Sequence, residues 1–157
     1  MAGDSSGKTG RVLAVCSGTG GVPNHTVECA KVKKRGLVGD RHHQPRHGGR
    51  ERAVCLFSIE DYRSLQRDGV VCDEPGTFGE NLLVEGLDFR VLRAGDRLAV
   101  GLRVVLEIHD VREPCATLKV LDARFPELMV GRSGFVCRVV RGGELQPGQS
   151  ISLVVRD

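Results

Sequence analysis

A chain of 157 residues, 40% of them hydrophobic, is long enough for one domain with its own core. Aromatics make up only 4% and tryptophan is absent, so valine and leucine must fill that core. The formal charge of +3 is too mild, and the aromatics too few, for a nucleic-acid partner.

No apolar run approaches the roughly 20 residues of a membrane helix, so no membrane partner is expected. Residues 1–10 are polar and lack the apolar stretch of a secretory signal. They read as a flexible tail ahead of a single domain over 11–157, and the expected location is cytoplasmic. The six cysteines are then expected to be reduced thiols. None forms a C-x-x-C pair, so zinc-ribbon and thioredoxin-type chemistry are not available. The 21 glycines are scattered between short apolar runs, which is the pattern of many short strands joined by tight turns.

In chain order, residues 11–16 form a first apolar strand ended by Ser17-Gly18-Thr19-Gly20-Gly21. That run lacks the lysine and the spacing of a phosphate-binding loop and reads as a plain turn. Lys31-Val32-Lys33-Lys34-Arg35 reads as a solvated strand edge guarded by lysines, or as one wall of an anion pocket. The stretch 36–50 is the most unusual, with His42, His43 and His47 among arginines and glycines. His43 and His47 have the i, i+4 spacing of a helical zinc site, but Pro45 between them makes a helix improbable. Imidazole and guanidinium donors on a structured loop suit phosphate or carboxylate better than a closed metal cage.

Residues 53–57 read as a buried strand. Ser58 then caps a helix running to Asp68, which Gly69 stops. Glu74-Pro75-Gly76-Thr77 is a turn, and Phe78-Gly79-Glu80-Asn81 leads into a strand over 82–85. Three further strands are expected over 89–92, 97–100 and 102–110, the last alternating cleanly. It delivers the chain into Arg112-Glu113-Pro114-Cys115, a thiol presented directly after a proline. A helix over 116–123 would place Cys115 at its N-terminus, where free N–H groups and the macrodipole favour a thiolate. Strands over 135–140 and 150–155, with a Gly142-Gly143 turn after the first, close the chain. About eight short strands and two or three helices, without βαβ alternation, predict a mainly β barrel.

Four of these stretches together resemble a known family. Gly39-Asp40-Arg41-His42-His43 with His47-Gly48-Gly49 and Arg52-Ala53-Val54 is the first. Pro75-Gly76 with Phe78-Gly79-Glu80-Asn81-Leu82 is the second, Gly95-Asp96-Arg97-Leu98 the third, and Arg112-x-Pro114-Cys115 the fourth. In this order and spacing the chain is similar to a stand-alone MOSC domain, the C-terminal domain of molybdenum cofactor sulfurases.

The resemblance implies a MOSC-type β-barrel with two or three short helices, and a role in molybdenum-cofactor or sulfur metabolism. It makes Cys115 the residue that matters, as a ligand to molybdenum or as a carrier of sulfur in a persulfide. It implies molybdenum cofactor (molybdopterin) as the ligand. Pocket candidates are Asp40, Arg41, His42, His43, His47, Arg52, Phe78, Glu80, Asn81 and Arg112, with individual roles unassigned. A cysteine desulfurase or a molybdoenzyme is the implied partner. Pyridoxal phosphate is not expected on this chain, which shows no lysine region for it.

The residues agree with this chemistry. A thiolate is both a sulfur-transfer nucleophile and a soft metal ligand. His and Arg donors suit the phosphate that the cofactor's pterin carries. Asp40 and Glu80 can hold those cations or act as acid–base groups. Glu113 opposes a low thiol pKa if it points inward. The competing readings are a non-catalytic β-barrel interaction module that keeps the scaffold, and a metal hydrolase built on His42, His43 and His47.

Overall fold

Side-chain alternation along the strands sorts the apolar residues into two cores, and of the candidate site residues Phe78 belongs to the second. The computed structural model of the protein describes residues 7–18, 23–39, 52–113, 118–119, 121–125 and 127–154.

Eleven strands are present among them: β1 (Thr9–Ser17), β2 (His25–Val27), β3 (Ala30–Lys33), β4 (Gly36–Leu37), β5 (Val54–Ser58), β6 (Leu82–Glu85), β7 (Arg97–Val100), β8 (Val104–Val111), β9 (Phe135–Arg141), β10 (Gly143–Leu145) and β11 (Ser150–Leu153). Seven of them close a barrel in the order β11-β7-β8-β9-β5-β6-β1, sealed by pairing of β1 with β11. Closure removes the sheet edges that would otherwise invite pairing with another chain.

β1 is long enough to serve three partners. Its first residues pair with β11, its middle with β6 and its end with β2. A register shift between Val12 and Ala14 lets it bend from one to the next. The mainly β expectation is met, and so is the barrel.

Inside the barrel lie Val12, Val15, Val54, Leu56, Leu82, Val84, Leu98, Leu106 and Ile108. The alternate positions Ala14, Cys16, Phe57 and Leu83 face the other way and build the second core with Tyr62 and Leu65. Those last two belong to α1 (Ile59–Arg67), which starts and stops as its sequence dictates. The Ser58 hydroxyl accepts from the Asp61 N–H at 3.1 Å, and Gly69 leaves the helix with φ +87°.

α1 is also a crossover. β5 and β6 run parallel, so β5–α1–β6 is a β-α-β unit, contrary to the expectation of none. Two parallel neighbours cannot be joined by a hairpin, and the helix supplies the long connection.

Other expectations are corrected. β1 begins at Thr9, earlier than the tail over 1–10 allowed. β3 is not an edge but the middle strand of a second sheet, β10-β3-β4, because 143–145 continue as a strand after Gly142. Lys31 and Lys33 still face solvent, whereas Lys34 donates to the carbonyls of Val139 and Val140 at 3.2 and 2.8 Å, tying that sheet to β9.

Phe89–Val91 is a 3-10 turn, not a strand. The Asp88 carboxylate accepts from the Arg90 N–H and pairs with its guanidinium, which holds the chain in a turn. β8 starts at Val104, leaving Leu102 exposed at the hairpin tip.

Among the described residues of the range 116–123, for which a helix is expected, none is α-helical. Leu118–Lys119 make a single 3-10 step and residues 123–125 are a turn. Asp122 accepts from the Arg124 N–H at 2.9 Å and pairs with the Arg124 side chain, an Asx-type turn that competes with helix. The macrodipole argued for Cys115 from that helix is therefore withdrawn.

Gly134 shows how tightly the strands meet. At φ +79° it sits so close to β5 that a Cβ would lie 2.1 Å from the Leu56 carbonyl oxygen. Gly148 has a similar φ of +93° but faces open space. Gly148→Ala should cost only the left-handed strain, about 1 kcal/mol. Gly134→Ala should add overpacking against a core strand and cost about 2–4 kcal/mol in all. Urea denaturation of both variants checks this, and equal losses would mean that β5 yields at Leu56.

Candidate functional site

Of the predicted site residues, Arg52, Phe78, Glu80, Asn81 and Arg112 are described. Asp40, Arg41, His42, His43, His47 and Cys115 lie outside the described residues. Arg52 is half-buried just ahead of β5. The other four are brought together around the second core, on the loop entering β6 and on the segment leaving β8.

Phe78 is the hub of that core. Its ring stacks on Phe57 at 5.1 Å and meets Tyr62 and Phe125 edge-on at 4.9 and 5.8 Å. Three of the chain's five phenylalanines and its single tyrosine thus meet at one place. Edge-to-face and offset contacts of this kind add to the burial of the rings themselves.

Into this apolar shell the fold places Glu80, which is 0% exposed. One carboxylate oxygen accepts the Tyr62 hydroxyl and the Gly76 N–H, the latter at 3.1 Å, and the other accepts the Phe78 N–H at 3.2 Å. Three donors and no acceptor suit an ionised carboxylate, which can only accept. Burial pushes the Glu80 carboxyl up from its ordinary value, opposed by Tyr62, by the loop N–H groups and by the charge of Arg112. The same burial, with Glu80 nearby, raises the Tyr62 hydroxyl.

Asn81 replaces a piece of backbone. Its side-chain oxygen accepts from the Cys55 N–H at 2.9 Å and its amide donates to the Cys16 carbonyl at 3.2 Å, so it bridges β5 and β1 ahead of β6. Phe78, Glu80 and Asn81 are all buried: the Phe78 ring packs the aromatic core, while the Glu80 and Asn81 side chains bond to the chain's own backbone.

Arg112 stands apart from them. Its N–H donates to the Gly134 carbonyl at 3.0 Å, and its own carbonyl accepts the Ser133 hydroxyl at 2.6 Å. The backbone is held at both ends, while Nη1 of the guanidinium is buried and has no hydrogen-bond partner among the described residues. Buried donors are nearly always paired, and a cationic N–H of this kind is able to receive an anion.

Sequence reasoning missed three residues that build this site. Asn24, buried, receives the loop: its side-chain amide donates to the carbonyls of Gly79 and Glu80 at 3.0 and 3.1 Å, and its N–H donates to the Gly76 carbonyl at 2.8 Å. Gly76 must be glycine there, since its φ is +88° and a Cβ would lie 2.3 Å from the Asn24 carbonyl oxygen. Tyr62 and Ser133 are the other two. Tyr62, the sole tyrosine on a polar helix, was the one available signal; nothing local marks Asn24 or Ser133.

Among the described residues no group of three or more His, Cys, Asp or Glu could hold a metal ion. A separate groove of about 260 Å³ beside Cys29, Lys31 and Glu144 contains none of the predicted site residues.

Comparisons with known proteins show the family and the fold. The family model described as MOSC domain matches residues 43–152. The chain belongs to the MOSC domain family. Among curated proteins, a "Reductase" of Gibberella moniliformis is 32% identical over 133 residues, covering 77% of this MOSC chain and 23% of that protein. The uncharacterised protein YflK of Bacillus subtilis is 30% identical over 114 residues, covering 70% of this chain and 51% of its own. The chain therefore spans between about a quarter and half of the length of these relatives. The crystal structure of YiiM from Escherichia coli superposes with a TM-score of 0.72 at 25% identity, covering 94% of this chain and 71% of that one. The fold is that of the family.

The thiols of the second core carry a direct test. Burial and the charge of Glu80 raise Cys16 to about 12, and burial, Asp73 and Glu80 raise Cys72 to about 11. Burial also raises Cys137. A raised value keeps the thiol protonated as pH climbs, and only the thiolate is nucleophilic. Alkylation of the native protein between about pH 7 and 10 should thus spare these three and label the exposed Cys29. Peptide mass spectrometry reads the sites, and early labelling of Cys16 would show that the second core opens.

Proposed function

We propose that this MOSC domain binds molybdenum cofactor through an anion-binding pocket that includes Arg112, with Cys115 as the ligand to molybdenum or as the carrier of sulfur in a persulfide. The observation that carries this reading is the buried, unpaired Nη1 of Arg112, three residues before the Pro114-Cys115 dipeptide. The cofactor is anionic through its phosphate, and the described donor set fits such a group: one guanidinium N–H is spare and no buried acidic side chain competes for it by a hydrogen bond.

When bound, the cofactor supplies a metal centre able to exchange sulfur or oxygen ligands and electrons. The chain's own residues do the rest. Arg112 holds negative charge at a fixed point. The hydrogen bonds from Arg112 to Gly134 and from Ser133 to Arg112 fix where the following segment leaves the barrel. On this reading Arg41, His42, His43, His47 and Arg52 would supply further cations and hydrogen-bond donors, and Asp40 would hold those cations in place. A thiol without a C-x-x-C partner, as Cys115 is in the sequence, would suit a one-thiol chemistry rather than a disulfide exchange. The partner on this reading is a cysteine desulfurase or a molybdoenzyme.

The test is expression in a host that makes the cofactor, followed by molybdenum analysis and persulfide detection by intact mass. Wild type should carry molybdenum or a persulfide, and Cys115→Ser should lose it at least about tenfold, as when a soft ligand is replaced by a hydroxyl. Equal loading of the two proteins would sink the proposal and favour a scaffold that binds partners without chemistry.

A further inference from the structure

We propose that the surface around Gly142 and Gly143 docks a protein partner, with Leu102 as an apolar anchor and a group of exposed cations that fits an acidic face. This goes beyond the ligand reading above and does not rest on it.

The charge pattern is already present in the sequence. Residues 29–39, 97–106 and 128–143 carry lysines and arginines but no aspartate or glutamate. The fold brings these three stretches to one place. A Cβ on Gly142 would lie 3.6 Å from the Lys33 Cα, and one on Gly143 would lie 3.3 Å from the Arg103 Cβ. Arg141 immediately precedes the two glycines. The Lys34 ammonium is fixed beside it, on the carbonyls of Val139 and Val140, and Arg35 follows Lys34.

Other cations on these stretches are already matched. Arg97 and Arg138 pair with Glu107, Arg132 pairs with Asp68, and Lys31 stands opposite Glu144 in the β3–β10 register. Lys33, Lys34, Arg35, Arg103 and Arg141 are exposed, and none forms an ion pair with a carboxylate of the described residues. These five positive charges exceed the chain's formal charge of +3, so the remainder of the chain is net negative. A one-sided distribution of this kind steers an oppositely charged surface to the cations.

Leu102 adds an apolar point next to Arg103, fully exposed at the tip of the β7–β8 hairpin. The tip is firmly held. The Gly101 N–H donates to the Ser150 carbonyl at 2.9 Å, and Val100 pairs with Val104 directly below. An anchor fixed in advance loses little freedom when a partner covers it.

The residue types favour a protein over other anionic partners. The aromatic rings pack on one another, Phe57, Tyr62, Phe78 and Phe125 in the second core and Phe89 on Phe135. None is thus presented beside Leu102 to stack on a base or to sit at a lipid interface. An apolar centre with arginine and a charged rim is the make-up of a protein interface. The surface also lies away from the candidate site. β8 starts here at Val104 and ends at Val111, one residue before Arg112, about 23 Å away at the rise of a strand. A partner seated at this end leaves Arg112 open to its ligand.

The experiment is a backbone amide NMR titration of the full chain with two synthetic peptides of equal length. One is glutamate throughout, and the other carries a single central leucine among glutamates. Both should shift the amides of Lys33 to Arg35, Leu102, Arg103 and Arg141 to Gly143, with affinity falling as salt rises. The leucine peptide should bind on the order of tenfold tighter, as one buried leucine side chain allows. Leu102→Ser should abolish that advantage and keep the salt-dependent part. Lys33→Glu combined with Arg103→Glu should weaken both peptides by on the order of tenfold or more, with the thermal melt unchanged.

Shifts confined to other surfaces, or equal binding of the two peptides by wild type, would overturn the proposal. Tighter binding of phosphatidylserine vesicles or of a DNA duplex through the same residues would also overturn it, in favour of a membrane or a nucleic acid. If the double variant does not fold, Arg103→Gln decides: severalfold weaker peptide binding supports the surface, and wild-type binding overturns it.

Discussion

A carboxylate in an apolar core is the constraint around which one side of this protein is arranged. Glu80 is tolerated because its two carboxylate oxygens accept from the Tyr62 hydroxyl and from the N–H groups of Gly76 and Phe78, with the charge of Arg112 acting in the same direction. Bringing two loop N–H groups onto one side chain forces the loop into a tight turn. That turn needs the left-handed backbone of Gly76 and the clamp from Asn24. Replacing any of these leaves a buried polar group unpaired, which costs more than the hydrogen bond itself contributed.

The barrel and the second core divide the labour. The closed barrel fixes the ends of β5, β6 and β8 relative to one another and presents a rigid outer wall of Ala14, Cys16, Phe57 and Leu83. α1, the loop into β6 and the segment after β8 pack on that wall, and the polar residues of the site are spread among them. Because β5 and β6 are parallel, the start of β6 lies beside the start of β5, and Asn81 can bond to the backbone of both β5 and β1. An antiparallel hairpin at that place would have put Glu80 and Asn81 in a solvent-facing turn. The parallel pairing of β5 with β6, the only one among the described strands, is what places them there.

Much of this was legible locally. Ser58 and Gly69 mark α1 by their capping chemistry, and period-two alternation marks β7 and β8. The Phe78-Gly79-Glu80-Asn81 and Arg112-x-Pro114-Cys115 stretches stand out as a site because their residue types are unusual for loops. The failures were at turns decided by side chains: Asp88 with Arg90, and Asp122 with Arg124, each made a local turn where apolar content suggested a strand or a helix. Asn24 and Ser133 were invisible because their partners lie 55 and 21 positions away along the chain. Which polar residue meets which carbonyl at that distance follows from strand order, and no local pattern encodes it.

The sequence by itself determined a mainly β barrel, the MOSC family resemblance, and which residue types could do chemistry. It did so because alternation, capping and motif spacing act between near neighbours. Only the tertiary structure decided that Phe78 turns into an aromatic core and Glu80 and Asn81 turn inward to hold backbone, while Arg112 keeps a buried N–H without a partner among the described residues. Burial and hydrogen-bond pairing belong to the closed barrel and its parallel crossover, and they exist only once distant strands have met.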